Sequence, residues 1–147
     1  MEEELPGASG PSDLVIICDR YEHGDPVRSA YIWEIKAPQE VVFSRCNSNR
    51  IRPSAALNKA ENQLFDYWND CTTSQFRDAY AISSLDEIHL GGIVIGQRST
   101  RLKCNYSEIR RNALYKKAMG LRKKLVYKPN DIRLYLWDDI NDFIKDA

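Results

Sequence analysis

Three residues near the start of the chain, Asp13, Glu34 and Lys36, have the types and the spacing of a hydrolytic metal site. Glu34 and Lys36 are two positions apart in a predicted β-strand, and residues two apart on a strand project to the same face. The turn-forming residues at 21–26 predict a hairpin, which places Asp13 opposite about residues 33–37. We therefore expect the Asp13 and Glu34 carboxylates to meet across the hairpin.

Two carboxylates held this close repel each other unless a cation lies between them. Mg²⁺ or Mn²⁺ suits such oxygen ligands, and either ion activates water and polarises a phosphoryl oxygen. Lys36 beside the ion would orient or deprotonate the attacking water, or balance the charge of a phosphoryl transition state. The alternative is a plain salt bridge between Glu34 and Lys36 with no catalytic role.

A second polar pair, Gln63 and Tyr67, lies on a predicted helix. Residues four apart share one helix face, and these two fall at the edge of the apolar stripe. An edge position lets polar groups approach the sheet and remain available. The alternative is an ordinary amphipathic helix with a partly buried amide and phenol.

These residues must be positioned by the surrounding strands and helices. The predicted order of those elements indicates an α/β fold with a mixed sheet and a helix layer on either side. Apolar runs on both sides of the turn form the hairpin, and residues 37–53 are predicted as a long polar loop. A helix then runs from residue 54 to about 69, with its buried stripe at Leu57, Ala60, Leu64 and Trp68. The remaining predictions are irregular helix over 75–88, a strand over 91–96, a basic helix over 107–119 ended by Gly120, a strand over 132–136 and a helix over 137–147.

The charge of the chain is zero in total and unevenly distributed. The 147 residues, a length that fits one domain, include 21 Lys and Arg and 21 Asp and Glu. Residues 98–128 hold eleven basic residues and one acidic residue, so this segment carries +10 and the rest of the chain −10. A segment this basic neutralises several phosphates, although a solvated surface helix is the alternative. The predicted contacts to a nucleic-acid backbone are Arg50, Arg52, Tyr67, Arg98, Arg101, Arg110, Lys117 and Lys124.

The four cysteines are too widely spaced for a zinc or thioredoxin motif, and we expect them to be reduced. Cys18 falls in an apolar run and is predicted to be a buried small hydrophobe. No apolar run approaches 18 residues, which argues against a membrane span. The acidic start, Met1–Glu4, lacks the layout of a signal peptide, which favours a cytoplasmic protein.

Taken in order, these motifs resemble the PD-(D/E)XK nuclease superfamily. The acidic motif is Pro11-Ser12-Asp13, the ExK motif is Glu34-Ile35-Lys36, and Gln63-Leu64-Phe65-Asp66-Tyr67 is similar to the QxxxY helix of RecB-like nucleases. The chain resembles more specifically the nuclease domain of Shedu antiphage defence proteins, through Trp33–Pro38, Ala60–Tyr67, Gly92–Arg98 and Ile132–Ile140.

The resemblance implies a restriction-endonuclease-like core over 13–147, preceded by a flexible lead-in at 1–12. It implies cleavage of DNA with Mg²⁺ or Mn²⁺ held by Asp13 and Glu34, water activation by Lys36, and orientation of the site or the scissile phosphate by Gln63. It also implies a role in antiphage defence, in an oligomer or together with other domains of a longer protein.

Two departures keep a different class of function open. The family's Pro-Asp is Pro11-Ser12-Asp13 here, and only about a dozen residues precede the hairpin, where the family has a helix with a further acidic residue. Glu2, Glu3 or Glu4 could take the place of that residue, although no pattern positions them. The resemblance then leads us to expect a fragment or a shortened version of the domain. The alternative function is a catalytically inactive module that binds nucleic acid or assembles a complex, and a third is a basic helix that serves a protein partner.

Overall fold

The computed structural model describes residues 14–47 and 50–147, without the side chains of Cys46 and Asn47. The predicted lead-in and Asp13 lie outside this part of the chain. The strands are β1 (Leu14–Glu22), β2 (Asp25–Ile35), β3 (Phe43–Asn47), β4 (Arg50–Pro53), β5 (Ile88–Val94), β6 (Leu102–Lys103) and β7 (Arg133–Tyr135). The helices are α1 (Ala55–Cys71), α2 (Ser74–Tyr80), α3 (Glu108–Arg122) and α4 (Trp137–Lys145). A 3₁₀ turn at Leu85–Glu87 and a π-helical turn at Lys123–Tyr127 complete the order.

The larger sheet is mixed and has the strand order β1-β2-β5-β7. β1 and β2 are antiparallel, whereas β2, β5 and β7 are parallel to one another. Two residues, His23 and Gly24, join β1 to β2, and their positive φ values of 52° and 91° give the tight turn that suits a hairpin. Leu14 pairs with Trp33, so the predicted register is confirmed along the whole described hairpin.

Helices flank this sheet, as predicted. α1 packs on the face of β2 and β5 that carries Ala30 and Ile32, and its Leu57, Ala60 and Leu64 are fully buried there. Ser54 begins α1, because its side chain accepts a hydrogen bond from the Leu57 N–H at 3.0 Å.

The opposite face of the sheet carries Trp33 and Tyr135, whose rings stack with centroids 6.0 Å apart. α4 packs at this face through Phe143, which contacts Tyr135 edge-on at 5.4 Å. Residues opposite each other on paired strands share a face, so Leu14 and Ile16 of β1 also lie here, about 40% exposed. One face is therefore closed by α1, and the other is covered mainly at its β7 side.

The prediction of a long polar loop over residues 37–53 is wrong. Most of it forms β3 and β4, an antiparallel pair that joins the parallel strand β6 in a second, three-stranded sheet of order β4-β3-β6. Phe43 and Ile51 are the hydrophobic residues of this pair that join the core among those whose side chains are described, and Ile51 lies between Arg50 and Arg52. Strands with so few apolar residues give too weak an alternation to be recognised in the sequence.

Three smaller predictions are also corrected. The region 75–88 contains only the short α2 and the 3₁₀ turn, and β5 begins at Ile88. α3 continues through Gly120 to Arg122 and passes directly into the π-helical turn. Cys18 is exposed, because it lies on the open sheet face with Ile16, and Cys18, Cys71 and Cys104 carry free thiols. In the two described stretches of chain, no helix is both long and apolar enough to cross a membrane.

Candidate functional site

Glu34 and Lys36 form the centre of the candidate site, at the carboxyl end of β2. The alternation of β2 turns Glu34 toward α1 with Ala30 and Ile32, and its side chain is fully buried. The Lys36 ammonium lies 2.6 Å from Glu34 Oε1, and the Lys36 side chain is 21% exposed. The spacing of two in the sequence thus places both charged groups on one face, as predicted.

Gln63 and Tyr67 reach the same place from α1. Lys36 Nζ donates a hydrogen bond to Gln63 Oε1 at 2.7 Å, and Gln63 Nε2 approaches the Tyr67 hydroxyl at 3.5 Å. A continuous polar chain therefore runs from the buried Glu34 carboxylate through Lys36 and Gln63 to Tyr67. Four of the predicted site residues come together in this cluster, and Asp13 lies outside the described residues.

The backbone of Lys36 is fixed on two sides. Its N–H donates to the Val94 carbonyl of β5 at 2.8 Å, and its carbonyl accepts a hydrogen bond from Trp137 Nε1 of α4 at 2.7 Å. Two separate elements, β5 and α4, therefore hold the lysine in place just after the carboxyl end of β2. Such rigid support is what a reacting group requires for its position to be reproducible.

The donor set fits a hard divalent cation only in part. Glu34 offers carboxylate oxygens of the kind that Mg²⁺ and Mn²⁺ prefer. Within residues 14–47 and 50–147, no group of three or more His, Cys, Asp or Glu side chains converges on a point that could hold a metal ion. A complete ligand set would need the carboxylate predicted from Asp13.

Arg98 and Arg101 line a pocket of about 380 Å³ together with Glu108, Arg111 and Asn112 of α3, so three guanidinium groups and one carboxylate surround it. Two of these arginines are held in place within the protein. Arg98 pairs with Asp142 at 3.0 Å, while Arg101 bonds to Asn112 Oδ1 and stacks over the Tyr115 ring at 4.8 Å. This pocket, the arginine pocket, presents guanidinium groups whose orientation is already restricted.

The arginine pocket and the Glu34–Lys36 pair are built on the same edge of the large sheet. The segment that follows β2 bonds to the segment that follows β5, through Gly96 N to the Ala37 carbonyl at 3.3 Å and Thr100 Oγ1 to the Pro38 carbonyl at 2.9 Å. Because β2 and β5 are parallel, both segments leave at their carboxyl ends, where open α/β sheets generally bind ligands.

Arg50, Arg52 and Lys117 come together elsewhere, around a groove of about 240 Å³ between β4 and α3. The floor of this β4–α3 groove is apolar and consists of Ile51, Leu114, Ala118 and Leu121. These three predicted phosphate contacts thus share one groove, and the residues of the Glu34 cluster do not line it.

Arg110 and Lys124 are placed differently from Lys117, although the three are spaced by seven. The Arg110 guanidinium lies 3.8 Å from the centre of the Tyr106 ring, and Arg45 approaches the same ring at 4.9 Å. Lys124 is exposed in the π-helical turn, where the helical phase changes. The heptad spacing therefore does not give one continuous basic stripe.

The sequence reasoning missed a buried network around Glu61 of α1. The Glu61 carboxylate is 4% exposed, accepts two hydrogen bonds from Arg122, and accepts one from the Tyr127 hydroxyl at 2.7 Å. The carboxylate raises the pKa of Arg122, and burial followed by Glu61 raises the pKa of Tyr127. The signal was present, because Glu61 is a charged residue within the apolar stripe of α1.

A second missed network surrounds Glu87. Arg20 donates to both Glu87 oxygens at 2.9 Å, the buried Ser29 hydroxyl donates to Oε2, and His89 Nε2 lies 3.6 Å away. The Arg20 hydrogen bonds, followed by that from Ser29, lower the pKa of Glu87 to about 2. His89 also stacks on Tyr31 at 4.9 Å, so it belongs to a surface network of the sheet.

Comparison of the chain with protein-family models, with curated proteins and with solved structures finds no match.

Proposed function

We propose that this chain is a metal-dependent DNA endonuclease of the PD-(D/E)XK type, with a restriction-endonuclease-like core. The observation that carries the proposal is the cluster in which Lys36 bridges the buried Glu34 carboxylate and the Gln63 amide. These three groups lie together at the carboxyl end of β2. The carboxylate would bind the metal, the lysine would act on the attacking water, and the amide would position the lysine. The resemblance to Shedu proteins adds antiphage defence as the biological setting.

In this proposal Glu34 and Asp13 hold Mg²⁺ or Mn²⁺, which would lower the pKa of a water and polarise the scissile phosphate. Lys36 faces the Glu34 carboxylate and would orient the attacking water or offset the charge that develops on the phosphate oxygens. Gln63 restrains the lysine through its 2.7 Å hydrogen bond, and Tyr67 extends the cluster toward the substrate.

The arginine pocket supports a DNA substrate, because it lies at the same sheet edge as the cluster. Arg98 and Arg101 would contact phosphates on one side of the scissile bond, and Arg110 with Tyr106 would extend that contact. We expect the logarithm of the DNA affinity to fall linearly with the logarithm of the salt concentration. Replacing Arg101 by Ala should lower the slope of that line by about one unit.

The test of the enzyme reading is Mg²⁺-dependent cleavage of supercoiled and linear plasmid DNA. Wild type should cleave, and Lys36→Ala should lose about a hundredfold or more in rate, because general acid–base groups contribute on this scale. Gln63→Ala should also lower the rate, because it removes the hydrogen bond that restrains Lys36. Lys59→Ala is the control, since it removes an exposed lysine from the same helix without touching the cluster. If wild type and Lys36→Ala show the same background nicking, the proposal that this protein is an endonuclease is wrong.

A second candidate is a non-catalytic module that binds nucleic acid. It is favoured by the ion pair itself, since Lys36 already compensates the buried charge of Glu34 inside the protein. The two candidates differ in a simple way. The module binds DNA with a steep salt dependence and leaves it uncut at every Mg²⁺ or Mn²⁺ concentration, and its affinity is unchanged in Glu34→Gln.

A further inference from the structure

The β4–α3 groove has a property that contact with a phosphate backbone leaves unexplained. Its rim is basic, with Arg50, Arg52 and Lys117, but its floor is made of aliphatic side chains. Nucleic-acid backbones are bound by charged and polar groups, and an aliphatic floor offers them nothing. A basic rim around an apolar floor is instead the pattern of a surface that receives an acidic amphipathic helix.

The floor continues past the groove into a neighbouring hollow of about 100 Å³, lined by Phe43, Pro53 and Leu125 together with groove residues. Along α3 and the turn after it, Leu121 is 59% exposed and Leu125 is 64% exposed. Isolated exposed leucines are ordinary on a protein surface, but these two are adjacent and border a continuous hollow. The site therefore has room for two apolar side chains from a partner.

The same chain carries a helix with the complementary composition. α4 and the residue that follows it contain four aspartates and one lysine: Asp138, Asp139, Asp142, Lys145 and Asp146. Two large apolar residues of this helix, Phe143 and Ile144, are 56% and 69% exposed. α4 is thus acidic and apolar where the β4–α3 groove is basic and apolar.

We propose that α4 of a second copy of this chain docks in the β4–α3 groove, with Ile144 on the leucines and the acidic last turn of the helix against Arg50, Arg52 and Lys117. Within its own chain α4 is anchored by the Arg98–Asp142 pair and the Phe143–Tyr135 contact, and Asp138 and Asp139 accept hydrogen bonds from backbone N–H groups. Ile144 and Asp146 are exposed, so the last turn of the helix remains available while the helix stays folded on its parent molecule. This inference does not rest on the nuclease proposal.

The contact is heterologous, because the groove and the helix are different surfaces. Each molecule then has one groove and one helix to offer, so copies join head to tail in rings or chains rather than as a two-fold dimer. Salt should weaken the contact, since its rim consists of exposed charges.

The experiment is sedimentation velocity of the full chain over a range of protein and salt concentrations. Wild type should form species larger than a monomer. Leu121→Asp in the groove and Ile144→Asp on α4 should each weaken association about tenfold or more, because each places a charge where an aliphatic group would be buried. Ile109→Asp is the matched control, since Ile109 is 85% exposed on α3 and does not line the groove.

Mixing the two variants gives the decisive result. Leu121→Asp keeps an intact α4 and Ile144→Asp keeps an intact groove, so an equimolar mixture should form a one-to-one heterodimer that neither variant forms alone. A monomeric wild type at all concentrations overturns the proposal. So does a mixture that stays monomeric, or a Leu121→Asp variant that associates normally but loses DNA affinity, which would make nucleic acid the occupant.

Discussion

The Glu34 carboxylate is fully buried, and the ammonium of Lys36 at 2.6 Å is the positive charge that faces it. A buried charge whose partner is removed is strongly destabilising, whereas removal of both charges is nearly neutral. Lys36→Met should therefore lower the free energy of unfolding by about 3 kcal/mol, and Glu34→Gln combined with Lys36→Met should recover most of that loss. Urea denaturation of the two single variants and the double variant measures the coupling, and strictly additive effects would contradict it.

Glu87 supplies a pH dependence of stability at the same scale. Its pKa is lowered from the ordinary value of 4.5 to about 2 in the folded protein, by the hydrogen bonds from Arg20 and then Ser29. A depressed carboxyl pKa stabilises the folded state at pH values above the unfolded pKa, and this stabilisation is lost as the pH falls from about 5 toward 2. Wild type should therefore lose more stability over this interval than Glu87→Gln.

Thermal unfolding at several pH values between 5 and 2.5 tests the Glu87 prediction. Asp86→Asn is the control, because Asp86 is the exposed neighbour in the same 3₁₀ turn. If the melting temperatures of wild type and Glu87→Gln depend on pH in the same way, the contact with Arg20 does not lower the pKa of Glu87 in solution.

Spacing along one strand and along one helix was enough to orient the two pairs of the cluster, whereas local patterns could not predict which residues pair with Glu61 and Glu87. Glu34 and Lys36 share a strand, and Gln63 and Tyr67 share a helix face, so periodicity alone orients each pair. Glu61 meets Arg122, which is 61 positions away, and Glu87 meets Arg20, which is 67 positions away. Such pairings depend on the tertiary fold, which local patterns do not specify.

At the scale of elements, two glycines have opposite roles. A Cβ on Gly92 of β5 would collide with the Arg133 carbonyl of β7 and lie 2.8 Å from the Trp33 ring. A Cβ on Gly120 of α3 would have no atom within 4 Å. Gly92 therefore permits the close approach of β7. At Gly120 no close contact requires a glycine, so this residue only lowers the stability of α3.

Gly92→Ala should destabilise the protein by about 2 kcal/mol or more, since the strand spacing must change. Gly120→Ala should stabilise it by about 0.5–1 kcal/mol, because alanine restricts the unfolded chain and favours the helix. Chemical denaturation of both variants measures the signs. A common sign for the two substitutions would contradict the assigned roles.

The same contrast explains which elements could be predicted. β1, β2 and α1 carry several apolar residues at a clear period, and their existence and the hairpin register follow from it. β3 and β4 each carry few core residues among charged ones, so the second sheet is defined by Phe43 and Ile51 packing on α3 rather than by a local pattern. Gly120 looked like a helix end, but Arg122 is anchored to Glu61 beyond it.

At the scale of the whole molecule, the Glu61 network joins α1, which lies on the large sheet, to the end of α3 and the π-helical turn. Arg122→Met leaves a buried carboxylate without its cation and should cost about 3 kcal/mol. Tyr127→Phe removes one hydrogen bond and should cost about 1 kcal/mol. Both values come from denaturant unfolding.

Hydrogen exchange of the π-helical turn distinguishes this network from an ordinary surface ion pair. Arg122→Met should accelerate exchange there and along α1, whereas Arg98→Met, which breaks the exposed pair with Asp142, should leave α1 unchanged. If hydrogen exchange is unchanged in Arg122→Met, packing alone joins α1 to the end of α3 and the π-helical turn.

The turn between β1 and β2 offers an experimental handle. Gly24 is ten residues from Glu34 along β2, which corresponds to about 33 Å of extended strand, so the turn lies far from the Glu34 cluster. Residues with positive φ at an exposed hairpin tip tolerate inserted sequence better than any position within the strands. A short epitope or a fluorophore attachment sequence placed between His23 and Gly24 would therefore allow the protein to be immobilised or followed by fluorescence while the Glu34 cluster and the arginine pocket stay accessible.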